Sequence, residues 1–78
     1  MIITSWNIRG LNNRGKQRYL RDRLKKDNPS IMIVQETKIG MEKLEEIISR
    51  GNTQYEVMGQ DAVGNVGGLA ILWNPAEV

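Results

Sequence analysis

The chain has no cysteine, so neither a disulfide nor a thiolate metal site can brace it. That absence is compatible with a reducing compartment. No apolar run approaches the roughly 20 residues that span a bilayer. The first residues, Met1-Ile2-Ile3-Thr4, lack the basic region and small-residue cleavage site of a secretory signal. A soluble intracellular protein is the default expectation. Prolines are scarce: Pro29 and Pro75, each preceded by an asparagine. Both pairs read as stops: Asn28-Pro29 ends a helix, because the residue before a proline is pushed out of the helical region, and Asn74-Pro75 ends the last strand. At 78 residues the chain makes one small domain at most. A chain of that size buries only about 60% of its unfolded surface, which leaves any core marginal.

What is present is unevenly distributed. From Arg9 to Lys26 eight bases (Arg9, Arg14, Lys16, Arg18, Arg21, Arg23, Lys25 and Lys26) stand against one acid, Asp22. From Asp27 onward acids outnumber bases eight to three, so the net charge of +2 conceals a basic block followed by an acidic remainder. An anionic partner explains such a field, and so does a solvated helix face.

The chain pivots on Ile31–Lys38, I-M-I-V-Q-E-T-K. Its unbroken apolar run, bounded by Pro29 and Gly40, suits a strand buried on both faces. In α/β sheets the segment after the C-terminal end of such a strand is the usual place for ligands and catalytic groups. Glu36 falls there. Upstream, Ile2–Asn7 alternates as a strand, with Ile2, Thr4 and Trp6 on one side. The glycine and tandem asparagines of Arg9-Gly10-Leu11-Asn12-Asn13 mark a loop. Asn13 is placed to cap a helix over Arg14–Lys26 whose apolar stripe is only Tyr19, Leu20 and Leu24. Strand, helix and strand fit a right-handed βαβ unit. Two parallel strands would then bring Asn7 and Glu36 to the same edge of the sheet.

Met41, Leu44, Ile47 and Ile48 recur at helical spacing and predict a helix over Met41–Arg50, with Gly51 placed to close it in a left-handed conformation. Alternation predicts a third strand near Gln54–Met58, a loop over Gly59–Asn65 and a fourth strand over Val66–Trp73. Trp6 and Trp73 read as core residues, and Gly67 and Gly68 as sites of sheet packing or a bulge. The pattern β-α-β-α-β-β is α/β or α+β. Its last apolar strand lies close to Val78, which leaves an unpaired edge and an uncovered face, and makes residues 1–78 look like the first part of a larger domain.

Three segments, Trp6-Asn7-Ile8-Arg9-Gly10, Gln35-Glu36-Thr37-Lys38 and Gly67-Gly68-Leu69-Ala70-Ile71-Leu72-Trp73, resemble the start of the endonuclease/exonuclease/phosphatase superfamily, the deoxyribonuclease I-like fold. S-W-N-I-R-G-L-N, N-P-S-I-M-I-V-Q-E-T-K and G-G-L-A-I-L-W-N look most like the endonuclease domains of LINE-type (non-LTR) retrotransposons, particularly plant ones. The resemblance covers essentially the whole chain but about the first third of such a domain. It implies a four-layer α/β sandwich with the active site where two sheets meet. Glu36 would ligate the catalytic cation, Mg²⁺ or Mn²⁺, and Asn7 would help position the scissile phosphate. The implied partners are DNA or another nucleic acid as substrate, the remainder of the domain, and a reverse transcriptase. The implied location is nuclear if the retroelement is active. Arg9, Lys38, Arg14 and Lys16 are candidate nucleic-acid contacts.

Two departures from the family pattern stand out. Some members carry an aspartate two residues after the asparagine; here that position is Arg9. The D-x-N and S-D-H segments are missing, and the chain has no histidine to activate an attacking water. The expectation is an endonuclease fragment that is inactive alone. The alternatives are a non-catalytic nucleic-acid-binding module working through Arg14–Lys26 and a truncated retroelement remnant. On the residues alone, Glu36 also reads as an ordinary strand-end carboxylate, Asn7 as a turn former and Lys38 as a solvated loop residue.

Overall fold

The run Ile31–Gln35 becomes the second strand of a four-stranded sheet in the computed structural model, which describes residues 1–51, 54–63 and 66–78. The elements are β1 (Ile3–Asn7), α1 (Arg14–Asp27), β2 (Ile31–Gln35), α2 (Met41–Arg50), β3 (Glu56–Gln60) and β4 (Leu69–Trp73). The mixed α/β order expected from the sequence is the order found. Strands lie in the order β1-β2-β4-β3. β1 and β2 are parallel, while β4 runs antiparallel to both of its neighbours, β2 and β3.

Local chemistry accounts for the helices. Asn13 is extended, and its side chain accepts from the Lys16 amide at 3.2 Å, capping α1. At the other end Asn28 turns left-handed (φ 44°) and its N–H returns to the Leu24 carbonyl, so asparagine performs the stop that the following proline enforces. Lys25 and Lys26 sit in the last turn, where the helix dipole favours cations. α2 keeps its expected bounds. Gly51, however, closes it with φ −79° rather than left-handed, and its N–H goes to the Ile48 and Ser49 carbonyls.

Period-two alternation sorts the sheet into two faces. Met32, Val34, Ala70 and Leu72 point into one core with Leu20 and Leu24 of α1 and Leu44, Ile47 and Ile48 of α2, so both helices cover one face. Trp6 packs at its margin, ring edge against Tyr19 at 5.0 Å between centroids. The opposite face aligns Ile31 with Trp73, and Ile33 with Ile71 and Met58. It leaves Ile3 60%, Met58 57% and Leu69 40% exposed. Trp73 therefore lies on the uncovered face and not in the core. Its parity in β4 is that of Leu69 and Ile71.

β3 begins and ends two residues later than the alternation predicts, at Glu56 and Gln60, because its pairing is set by β4: Gly59 lies opposite Ala70 and Gln60 opposite Leu69. β4 correspondingly starts at Leu69 rather than Val66. The Gly64–Asn65 part of the expected loop lies outside the described residues. At the sheet end away from Glu36, Ser30 ties three segments together. Its N–H donates to the Ile2 carbonyl at 2.8 Å, its carbonyl accepts from Asn74 at 2.9 Å, and its hydroxyl donates to the Glu77 carboxylate at 3.0 Å. Tyr55 docks nearby, donating its hydroxyl to the Pro29 carbonyl. Burial, and secondarily the Glu77 carboxylate, raise its phenol above the usual range.

The face asymmetry predicts asymmetric mutational cost. Leu72→Ala, at a fully buried position, should lower unfolding free energy by about 2–5 kcal/mol. Ile3→Ser on the open face should cost less than about 1 kcal/mol, the scale of surface changes. Urea midpoints of the two variants check this.

Candidate functional site

Parallel pairing of β1 with β2 sets Asn7 opposite Gln35, so Glu36 is the first residue past the tip of the neighbouring strand. Pairing then continues beyond the strands. The Ile8 amide donates to the Gln35 carbonyl (3.0 Å), Gly10 to Glu36 (2.7 Å) and Leu11 to Thr37 (2.8 Å). On the other flank Thr37 donates to the Gly68 carbonyl (3.3 Å) and Lys38 to Gly67 (2.8 Å). The segment Glu36–Lys38 is thus held between residues 8–11 and residues 67–68. Three stretches far apart in sequence form one sheet edge.

The backbone at this edge is strained. Arg9, Glu36 and Lys38 adopt φ of 55°, 55° and 57°. None is glycine or asparagine, and a side chain in the left-handed region costs roughly 1–2 kcal/mol per residue. Such conformations persist where surrounding structure over-determines them, and they gather at functional sites. Around Glu36 and Lys38 the flanking hydrogen bonds do the over-determining. No residue type announces it, so sequence reading missed it. At this edge space dictates glycine at residue 68: with φ +93°, a Cβ there would lie 2.1 Å from the Thr37 hydroxyl oxygen. Thr37 itself is only 2% exposed.

Of the candidate residues, Asn7, Arg9 and Glu36 are exposed and Lys38 is half-buried. The side chains of all four are without hydrogen-bond or ion-pair partners among the described residues. Arg9, Gly10, Asn12, Asn13, Lys16 and Lys38 line a cleft of about 260 Å³ with three cations and no acid. Lys16 is already engaged: its ammonium donates to the carbonyls of Ile8 (3.0 Å) and Arg9 (3.1 Å). Arg14 points elsewhere, into a groove of about 640 Å³ between the helices that it shares with Glu42, Lys43, Glu46 and Arg50. That larger groove does not include Asn7 or Glu36.

Along α1, Arg23 sits 2.9 Å from Asp27, and Arg18 reaches Asp22 at 4.0 Å. Part of the basic block is therefore neutralised within the helix.

A hard divalent cation takes oxygen ligands, keeps several waters and is commonly held by one or two carboxylates. The Glu36 carboxylate, uncommitted among the described residues, is an oxygen donor of that kind. No group of three histidine, cysteine, aspartate or glutamate side chains able to hold a metal is found among the described residues. A single carboxylate at this edge can supply one donor to such a cation and does not by itself form a closed cage.

The model of the Endonuclease/Exonuclease/phosphatase family matches residues 4–76. The chain belongs to that family. Its β-α-β-α-β-β sheet is consistent with the amino-terminal part of the family fold. No curated protein matches it.

Gly68→Ala should lower stability by about 1–3 kcal/mol, the range for overpacking a tight site, and shift the amide signals of Thr37 and Lys38. Gly67→Ala, also at positive φ (78°) but with open space around its Cβ, should cost only about 1–2 kcal/mol of backbone strain. Denaturant midpoints with amide NMR spectra separate the two.

Proposed function

We propose that the Asn7–Glu36 edge is one half of the centre of a divalent-cation-dependent phosphodiesterase that cuts nucleic acid, and that the parent enzyme is a DNA endonuclease of a retrotransposon. One observation carries the reading. Parallel β1 and β2 set an uncommitted carboxamide and an uncommitted carboxylate at adjoining strand tips, the arrangement that the resemblance in W-N and Q-E-T requires.

Glu36 would hold Mg²⁺ or Mn²⁺ through its carboxylate oxygens. When bound, the cation would supply Lewis-acid polarisation of a phosphoryl oxygen. Asn7 can donate its amide to a phosphate oxygen and fix the orientation of the diester. Arg9 and Lys38 add positive potential beside that position, which favours an anionic backbone and charge developing on it. A chain without histidine offers no imidazole to activate water, and Arg9 cannot ligate a cation. The fragment therefore binds without cutting. The D-x-N and S-D-H segments of the remainder of the domain would complete the centre, and a reverse transcriptase is the expected companion.

A second reading has its own support: Arg14, Arg21, Lys25 and Lys26 make no ion pair among the described residues, as a purely electrostatic nucleic-acid-binding helix requires. No described helix is long and apolar enough to cross a membrane.

Mn²⁺ titration of the chain should broaden the amide signals of Glu36 and Asn7 first, and Glu36→Gln should abolish that broadening. Plasmid DNA with Mg²⁺ should stay intact, and nicking above a Glu36→Ala control would sink the half-site assignment. DNA binding that is indifferent to Mn²⁺ and to Glu36→Gln, with a salt slope that falls on neutralising Arg14, Arg21, Lys25 and Lys26, would favour the electrostatic helix instead.

A further inference from the structure

The Lys16 ammonium stands where a cation is poorly placed by local rules. It belongs to the first turn of α1, which has no acidic residue, and the helix dipole disfavours positive charge at that end. What holds it is a pair of consecutive carbonyls, those of Ile8 at 3.0 Å and Arg9 at 3.1 Å. In an extended strand successive carbonyls point in opposite directions. Two in a row converge on one ammonium only if the chain turns between them, and Arg9 makes that turn in the left-handed region (φ 55°).

The bonded residues immediately follow Asn7. The next two amides, of Gly10 and Leu11, are spent on the Glu36 and Thr37 carbonyls. Lys16 thus fastens α1 to the stretch joining Asn7 to the Glu36 loop.

We propose that Lys16 is a positioning residue, holding the Asn7–Arg9 tip against Glu36 through the Ile8 and Arg9 carbonyls, rather than a lysine whose first task is to meet an incoming phosphate. Its link to function rests on the cation-site reading above. Its link to structure does not. Removing the ammonium releases Arg9 to relax toward right-handed backbone and lets Asn7 drift from Glu36. An arginine, which keeps charge and several donors, restores the contact in part.

The test uses the whole 78-residue chain, isotope-labelled, as wild type, Lys16→Met and Lys16→Arg. In the wild type the Lys16 ammonium protons should exchange slowly enough to be seen at low temperature and show contacts to the Ile8–Arg9 backbone. A freely exchanging, solvated ammonium overturns the proposal without any variant, so it stays falsifiable even if Lys16→Met fails to fold. In folded Lys16→Met the left-handed carbon-shift signature of Arg9 should vanish while those of Glu36 and Lys38 remain, and Lys16→Arg should recover it. Retention of the Arg9 signature in Lys16→Met overturns the proposal. With Mn²⁺ added, Lys16→Met should lose broadening at the Asn7 side-chain amide but keep it at Glu36; equal broadening at both also overturns it. If wild type itself shows no Mn²⁺ broadening at Glu36, the cation reading fails, and the Arg9 signature alone decides whether Lys16 sets the tip.

Discussion

Everything at the candidate site depends on the double flanking of Glu36–Lys38. Hydrogen bonds from Gly10 and Leu11 secure the carbonyls of Glu36 and Thr37 on one side, while the amides of Thr37 and Lys38 reach the carbonyls of Gly68 and Gly67 on the other. A segment with two left-handed non-glycine residues would not keep that shape alone. It keeps it because its backbone groups are satisfied only in that shape, and unsatisfied buried backbone groups are costly. Removing Cβ at residue 68 is what lets the third strand of contacts approach Thr37 closely enough.

The distribution of charge follows from the same economy of partners. The basic block divides into cations committed to the protein, Lys16 on two carbonyls and Arg18 and Arg23 on i+4 aspartates, and cations whose side chains have no partner among the described residues, Arg9 among them; Lys38, outside the block, is likewise unpartnered. The uncommitted ones at the sheet edge lie beside the uncommitted carboxylate of Glu36. Exposed i,i+4 pairs stabilise a helix only slightly, so the α1 pairs matter more for which bases already have a carboxylate beside them.

The fold keeps one face of its sheet dry and the other bare. Leu20, Leu24, Leu44, Ile47 and Ile48 seal the first, whereas Ile3, Met58 and Leu69 line the second in the open. Reading the sequence placed both tryptophans in a core, and only Trp6 packs there. V-G-G-L-A-I-L-W is apolar at every non-glycine position, so alternation had nothing to distinguish the covered side from the bare one. The late start of β3 was hidden for a related reason. Gly59 and Gln60 are poor strand formers locally and join β3 because Ala70 and Leu69 lie opposite.

The sequence by itself determined the elements whose causes are local. Asn13 caps α1, Asn28 before Pro29 stops it, the apolar period of Met41–Ile48 makes α2, and the run Ile31–Val34 makes β2. It also implied that a parallel pair would carry Asn7 and Glu36 to one edge, as the register of β1 with β2 does. Only the tertiary structure decided that β4 would lie between β2 and β3, that Trp73 would face outward, and that Arg9, Glu36 and Lys38 would turn left-handed. Those features have no local cause. Each is fixed by partners outside its own segment, and a backbone angle that its own side chain disfavours can be chosen only by partners the chain meets after folding.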